Sequence, residues 1–501
     1  MKSRSFTELN WILRGLQFVI ASTIIGLFVY LSTSGSFNHN DFMYVSTAML
    51  SGHPYEDFNF VQSPLTYYFW NMVSNLLPDQ NPYVGFRLVS ALLVSIGILF
   101  PTLFFFTNNL DRAVFVLLAL SSDFILVASA EVGNYSLTFA FLSIGVTSLF
   151  FKNKILISFG ALCLGAAASA KISFILFLVP GFAMVLMLHN CFKNRELIVF
   201  FGAGVIIGVT PLVFFAVENF DNFLLHTLSF HSELTNNSRG LTLSGSLISI
   251  FRGMASWVNN ELVVISIFAF LITIATQKFA TKPSSQYDKK LVTTLLLFSA
   301  FALVVAWSPM ILFNQYLVPV SFFLVWLTVI LFGLINDAER NYFKWPVLMM
   351  SVVVFGLQLS GNALVVLKNN AVQNHQLISK QLDKVLETSS CEPIVTTLSG
   401  SFLADTRGMP GPGSFTGLFW VRVLQSTPQE MRDSPSLSLT ETTFFPERAI
   451  TDGITKFVVT GFYENDYENR INTTADFLDF DKIHLGLFQG KDIYLRKSPE
   501  C

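Results

Sequence analysis

Charge is what this sequence lacks. Only 13% of its 501 residues are Asp, Glu, Lys or Arg, about half the share of a soluble globular domain. Hydrophobic residues make up 52%, and the mean hydropathy is +0.55. This is the composition of a polytopic membrane protein. The net charge of −2 suggests no nucleic-acid partner. Cysteine is sparse too, with four copies. Cys163 and Cys191 lie in or beside membrane segments. Cys391 and Cys501 both fall in the polar C-terminal part, where they could bridge in an oxidising compartment. No Gly-x-x-x-x-Gly-Lys-Ser/Thr run marks a nucleotide-driven pump. No His/Cys cluster has zinc spacing, so neither a metal nor a cofactor is called for.

What is abundant is long apolar runs. A membrane helix needs about 20 mostly apolar residues. Eleven candidate spans result: 15–33, 85–106, 113–130, 135–151, 155–170, 172–189, 196–216, 261–277, 290–308, 312–334 and 345–367. The first is longer than a signal-peptide core and lacks a small-x-small cleavage site, so it is expected to stay as a span. Span 113–130 carries Asp123, and 155–189 is interrupted at Lys171. No inverted repeat of the kind many transporters carry is visible.

With the N-terminus in the cytoplasm, fourteen Lys and Arg fall on cytoplasmic segments. The other side of the membrane region has only Arg87, Lys171, Arg239 and Arg252. This is a positive-inside asymmetry. It puts loops 34–84 and 217–260 outside, together with everything after 367. Residues 1–367 are thus expected to form an all-α membrane bundle. Residues 368–501 hold 30 charged residues and are expected to form a small extracytoplasmic α/β domain. In that tail Val372, Leu377, Ile378, Leu382, Val385 and Leu386 fit an amphipathic helix over 371–388. Strand-like runs follow at Pro393–Leu398, Lys456–Thr460 and Asp492–Arg496, with a turn-rich Gly408–Gly413 between the first two.

The two long outer loops read as helices lying in the membrane interface, with aromatics at headgroup level. In the first, Asp41, Tyr44 and Ala48 share one helix face. Gly52-His53-Pro54-Tyr55 ends that helix, and Gln62-Ser-Pro-Leu-Thr-Tyr-Tyr68 starts another. By pattern alone, Asn40 or Asp41 fits a helix cap as well as Asp41 fits a catalytic acid. Lys171, Arg239 and Arg252 are cations on a face otherwise poor in them, and so are candidates for holding a phosphate. Helix-end snorkelling or headgroup contact are their ordinary alternatives. Glu131 is a second acid or a helix cap.

In order along the chain come Asp41, Tyr44, Ala48, Gly52, Pro54-Tyr55, Pro64-Leu65-x-Tyr67 and Arg87. Then follow Glu131-Val-Gly-Asn-Tyr135, Gly165 to Lys171, and Gln315-Tyr-Leu-Val-Pro319. This ordered set resembles the GT-C class of membrane glycosyltransferases, in particular the protein O-mannosyltransferase-like and aminoarabinose-transferase-like branch. The resemblance covers most of the chain in layout. It implies an inverting glycosyltransferase facing away from the cytoplasm, moving a sugar from a polyprenyl-phosphate donor to an envelope glycan or lipid acceptor. Localisation would be a bacterial inner membrane. Asp41 would be the base, with Glu131 as second acid. Lys171, Arg239 and Arg252 would meet the donor phosphate. Tyr44, His53, Tyr55, Gln62, Tyr67, Gln315 and Tyr316 would line the cavity. The sequence departs from relatives in three places. It has Gln62-Ser63-Pro64-Leu65 for Lys-Pro-Pro-Leu, Tyr44 for an Arg, and Asp41-Phe42 for Asp-Glu. Neither the aminoarabinose sugar nor a protein acceptor carries over. A flippase for lipid-linked sugars would instead place ionisable groups along the bundle midplane. A non-catalytic assembly subunit would keep the layout without needing Asp41.

Overall fold

The computed structural model describes residues 41–50, 52–55, 60, 62–77, 82–106, 108–189, 195–218, 286–307, 314–334, 346–357, 371–411, 446–462, 466–488 and 490–501. It also describes shorter pieces within 18–31, 220–227, 251–258 and 265–268, and residue 360. Most of candidate span 261–277, most of loop 217–260 and Arg239 lie outside these residues.

Among the described residues, four helical segments are long and apolar enough to cross a membrane: Pro82–Phe104, Ile172–His189, Arg195–Glu218 and Lys289–Ala306. Shorter apolar helices cover Lys154–Ala170, Val318–Phe332 and Pro346–Leu357. The expected span 113–130 is not one straight helix. Asn109–Leu120 and Asp123–Ala130 meet at a 67° bend. Ser121 turns its hydroxyl back to the Leu117 carbonyl at 2.6 Å, and Ser122 caps the new helix at the Ile125 N–H. Asp123 therefore sits in the first turn of a helix, where the dipole favours an acid. The interruption at Lys171 is a true break: Lys154–Ala170 ends there and a 3-10 turn, Ile172–Phe177, leads into Leu178–His189.

Glycine sets the tightest helix contact. A Cβ on Gly204 would stand 2.1 Å from the Ser158 carbonyl oxygen, and one on Gly208 2.3 Å from that of Leu162. Without a hydrophobic effect between helices in lipid, this close backbone approach supplies the packing.

Loop 34–84 holds two helices, Asp41–Ala48 and Pro64–Leu76. The second is amphipathic as expected, burying Thr66, Tyr67, Trp70 and Val73 and exposing Tyr68, Met72 and Leu76. The first shows no exposed apolar face among its described side chains. Met43, Tyr44, Val45, Ser46, Thr47 and Ala48 are all buried, because the helix is covered by Pro64–Leu76 on one side and by a 3-10 turn of the C-terminal part, Gly400–Asp405, on the other.

The C-terminal part is a small mixed sheet with one long helix on one face and the helices Pro446–Thr451 and Asp466–Phe477 on the other. The strands are β1 (Ile394–Thr397), β2 (Met409–Pro410), β3 (Phe457–Thr460), β4 (Asp481–Phe488) and β5 (Lys491–Lys497), in the order β2-β1-β3-β5-β4. β1 is parallel to β2 and β3, while β5 is antiparallel to β3 and β4. The long helix is Ala371–Thr388, but its buried face differs from the apolar pattern. Leu377 is 58% exposed, whereas His375, Ile378, Ser379, Leu382 and Leu386 are buried. Two polar residues occupy the core face because each has work there: Ser379 donates to the Phe402 carbonyl at 3.1 Å, and His375 stacks between rings. Cys391 and Cys501 form a disulfide, tying the approach to β1 to the chain's last residue.

Candidate active site

Asp41 opens its helix and is fully buried, at 0% exposure. Its Oδ2 accepts from the Tyr83 hydroxyl at 2.9 Å, and its Oδ1 from the Val132 backbone N–H at 2.6 Å. Arg87, one turn beyond Tyr83 on Pro82–Phe104 and 1% exposed, stands 5.9 Å from the Tyr83 ring centroid. Burial pushes the Asp41 carboxyl up to about 6. The Arg87 charge, the Tyr83 hydroxyl and the Val132 N–H all pull the other way. An ionised carboxylate has about four lone-pair sites, so two donors leave each oxygen able to accept a further proton.

The segment Glu131–Tyr135 joins this acid to the cation. Val132 binds Asp41, and the Gly133 carbonyl accepts from Trp70 Nε1 at 3.1 Å. Gly133 lies close against the Tyr44 ring: a Cβ would be 3.2 Å from Tyr44 Cε2, a tight contact. Asn134 donates to Gln62 Oε1 at 2.7 Å. The Tyr135 hydroxyl accepts from Lys171 Nζ at 2.7 Å. Lys171 is buried between two rings, its Nζ 4.3 Å from the centroids of both Tyr135 and Tyr316. Buried Glu131 caps Asp123–Ala130 and carries its charge beside Tyr44 and Tyr135.

The Gln62–Thr66 stretch holds the Lys171 turn. Ser63 Oγ accepts from the Ile172 N–H at 2.9 Å, and Thr66 Oγ1 donates to the Ala170 carbonyl at 2.7 Å. This explains why Ser63, although at the N-cap of Pro64–Leu76, makes no side-chain cap. Tyr67 donates to the Leu50 carbonyl at 2.9 Å, and Tyr55 to that of Gln62 at 2.5 Å. Tyr55 does so from a left-handed backbone, φ 77°, unusual for a residue with a side chain.

The structure thus brings together Asp41, Tyr44, Gln62, Glu131, Lys171 and Tyr316, with Tyr55 and Tyr67 bracing the loop around them. His53 is exposed at the turn, while Pro54 and Tyr55 take the inward positions. Arg252 is exposed on a helical segment, and no described contact joins it to the site. Gln315 lies on the 3-10 turn Asn314–Leu317, and its side chain is outside the described residues, as is Arg239. Sequence reasoning missed Tyr83, Asn134 and Tyr135 as site residues. It counted Arg87 among the outer cations without giving it a place beside Asp41. The available signal was that Arg87 opens a span within one turn of a tyrosine.

No protein-family model matches the chain, and no curated protein matches it by sequence. Among solved structures it is similar to ArnT from Cupriavidus metallidurans. Against the crystal structure bound to undecaprenyl phosphate the TM-score is 0.63 at 13% identity, over 97% of this chain and 98% of that one. Against the apo state it is 0.61 at 12% identity, over 98% of each. Agreement over nearly the whole of both chains, with the apolar helices described above, makes this an integral membrane protein with the GT-C fold.

Proposed function

We propose that the protein is a membrane glycosyltransferase of the polyprenyl-phosphate-dependent kind. It moves a sugar to an envelope glycan or lipid on the extracytoplasmic side of a bacterial inner membrane. The observation that carries this reading is a buried Asp41 held by Tyr83 and Val132, three residues along the chain from the tyrosine that holds Lys171. It occurs in a fold that ArnT presents with undecaprenyl phosphate bound.

Asp41 takes the proton from an acceptor hydroxyl as that oxygen bonds to the anomeric carbon. The bond from that carbon to the phosphate oxygen breaks, and the polyprenyl phosphate leaves with the electron pair. The configuration inverts. The leaving group is a good one, so a single carboxylate suffices, unlike the pair used in glycoside hydrolysis. Lys171 meets the phosphate charge, and Arg87 stabilises the ionised form of Asp41. Glu131, Gln62, Tyr44 and Tyr316 line the cavity where sugar and acceptor meet.

The test is label transfer from radiolabelled polyprenyl-phosphate sugars by purified wild type and Asp41→Asn, with an envelope extract as acceptor source. The wild type is expected to transfer label. The variant should bind donor equally and transfer it about 10²–10⁴-fold more slowly. Equal transfer by both would remove Asp41 from the chemistry. Donor movement across vesicles without consumption would turn the reading to a flippase.

A further inference from the structure

Tyr83 is held from the C-terminal domain, by two groups far away in sequence. Its backbone N–H donates to Asp405 Oδ1 at 3.0 Å. Its ring stacks on that of His375, with centroids 4.0 Å apart and planes 14° from parallel. The other face of His375 stacks on Phe402 at 4.2 Å, and Phe402 on Phe462 at 4.7 Å. A column of four rings therefore runs from the residue that donates to Asp41 into the core of the sheet domain.

We infer that the C-terminal domain completes the active site: Asp405 and His375 are positioning residues that clamp Tyr83 so that its hydroxyl stays on Asp41. This rests on the proposed role of Asp41 as the base.

The local physics supports a clamp. Tyr83 lies in the first turn of Pro82–Phe104. N–H groups there have no partner within the helix, and a carboxylate is favoured beside them by the helix dipole. Asp405 supplies that carboxylate from the other domain, 3.6 Å from His375 Nδ1. Tyr83 and His375 are at 0% exposure. Burial pulls His375 below the ordinary imidazole range, against the opposite pull of Asp405 beside it. Close packing on both faces of that ring leaves Tyr83 little room to turn. Apolar side chains would join two domains without burying polar groups. Here Asp405 and His375 are both directed at one tyrosine, the one whose hydroxyl reaches the acid. The charged and polar groups facing Asp41 are Arg87, Tyr83 and the Val132 N–H. The clamp acts on the second of these.

The experiment uses the full-length protein in nanodiscs. The variants are Asp405→Ala, Asp405→Asn, His375→Leu and His375→Phe, with unfolding temperature measured for each. Two readouts are taken: kcat and donor KM, and an infrared titration of the Asp41 carboxyl, assigned by difference from Asp41→Asn. The titration needs no substrate. Asp405→Ala and His375→Leu are expected to lower kcat by about tenfold or more, the scale of a lost hydrogen bond to a charged group, with donor KM within about twofold. Both should move the Asp41 titration upward, because the Tyr83 hydroxyl favours the ionised form. Asp405→Asn keeps an acceptor and His375→Phe keeps the stack, so both should restore wild-type values. In a Tyr83→Phe background Asp405→Ala should cost no more than about twofold further.

Folded Asp405→Ala or His375→Leu protein with wild-type kcat and Asp41 titration overturns the clamp. So does a loss that adds fully to that of Tyr83→Phe. If Asp405→Ala does not fold, His375→Leu carries the same readouts. If the wild type transfers no sugar but the titration shifts as expected, the glycosyltransferase reading fails and the clamp on Asp41 stands.

Discussion

Val132 donates its backbone N–H to Asp41 across 91 residues of sequence, at 2.6 Å. Among side-chain changes only proline would remove this backbone donor, and it is fixed by the turn that also places Tyr135 against Lys171. The acid and the cation are therefore held in one frame, and several consequences can be measured.

The first concerns pH. As the proposed base, Asp41 would act only when ionised, and burial pushes its carboxyl up to about 6. Above that pH the carboxylate predominates. Below it the proton stays on, and kcat/KM should fall about tenfold per unit. The profile is expected to be level from about pH 7 upward on this limb. A profile that stays level down to about pH 4.5, where an ordinary carboxylate begins to titrate, would contradict the buried setting of Asp41.

Lys171→Ala should raise donor KM by about tenfold or more and change kcat less, as expected for loss of a charge that binds phosphate. Lys171→Arg should restore little, because the planar guanidinium does not replace a compact ammonium between two rings. Thr66→Val and Ser63→Ala each remove one hydrogen bond from the Lys171 turn, worth about 1 kcal/mol. They should shift donor KM in the same direction by about fivefold. Unchanged KM in Lys171→Ala would take the phosphate away from this residue.

Helix packing gives a stability prediction with its own control. Gly204→Ala would put a methyl 2.1 Å from the Ser158 carbonyl, whereas Gly202→Ala meets nothing within 4 Å. The first should lower the unfolding temperature in detergent. The second should be neutral or slightly stabilising, since alanine is the better helix former by about 1 kcal/mol. Equal unfolding temperatures for the two variants would mean that the Arg195–Glu218 and Lys154–Ala170 helices do not need this approach.

The Cys391–Cys501 bridge closes a separation of 110 residues. Replacing both by serine should destabilise the C-terminal domain by about 2–5 kcal/mol, read as faster proteolysis of the tail. Purified protein treated with reductant should show the same change. Identical proteolysis rates with and without the bridge would show that the sheet core holds the tail by itself.

Much of the scaffold was legible because it rests on local pattern. Apolar runs marked the membrane helices, and short strand-like runs in the tail located β1, β3 and β5 to within a residue or two. β4 escaped because a register shift between His484 and Gly486 breaks its alternation: Leu485 and Phe488 face the core while Leu487 is exposed. The break at Ser121–Ser122 escaped because both sides of it are apolar, and only the two serine hydroxyls mark the turn. On Ala371–Thr388, the apolar pattern found Ile378, Leu382 and Leu386 on the core face but missed His375 and Ser379, which hold core positions through their partners, and wrongly included exposed Leu377.

The sequence by itself determined that the chain belongs in a membrane, that an acid follows the first span, and that a separate charged tail folds as helix and sheet. Those properties come from hydropathy, periodicity and charge counted over neighbours in the chain. The tertiary structure decided what surrounds Asp41. Val132, Tyr83 and Arg87 reach it from two other segments, and Asp405 lies 322 residues from the Tyr83 it holds. Such contacts arise when helices and sheet bury their remaining polar groups against one another. No local pattern records which partner each buried group will find.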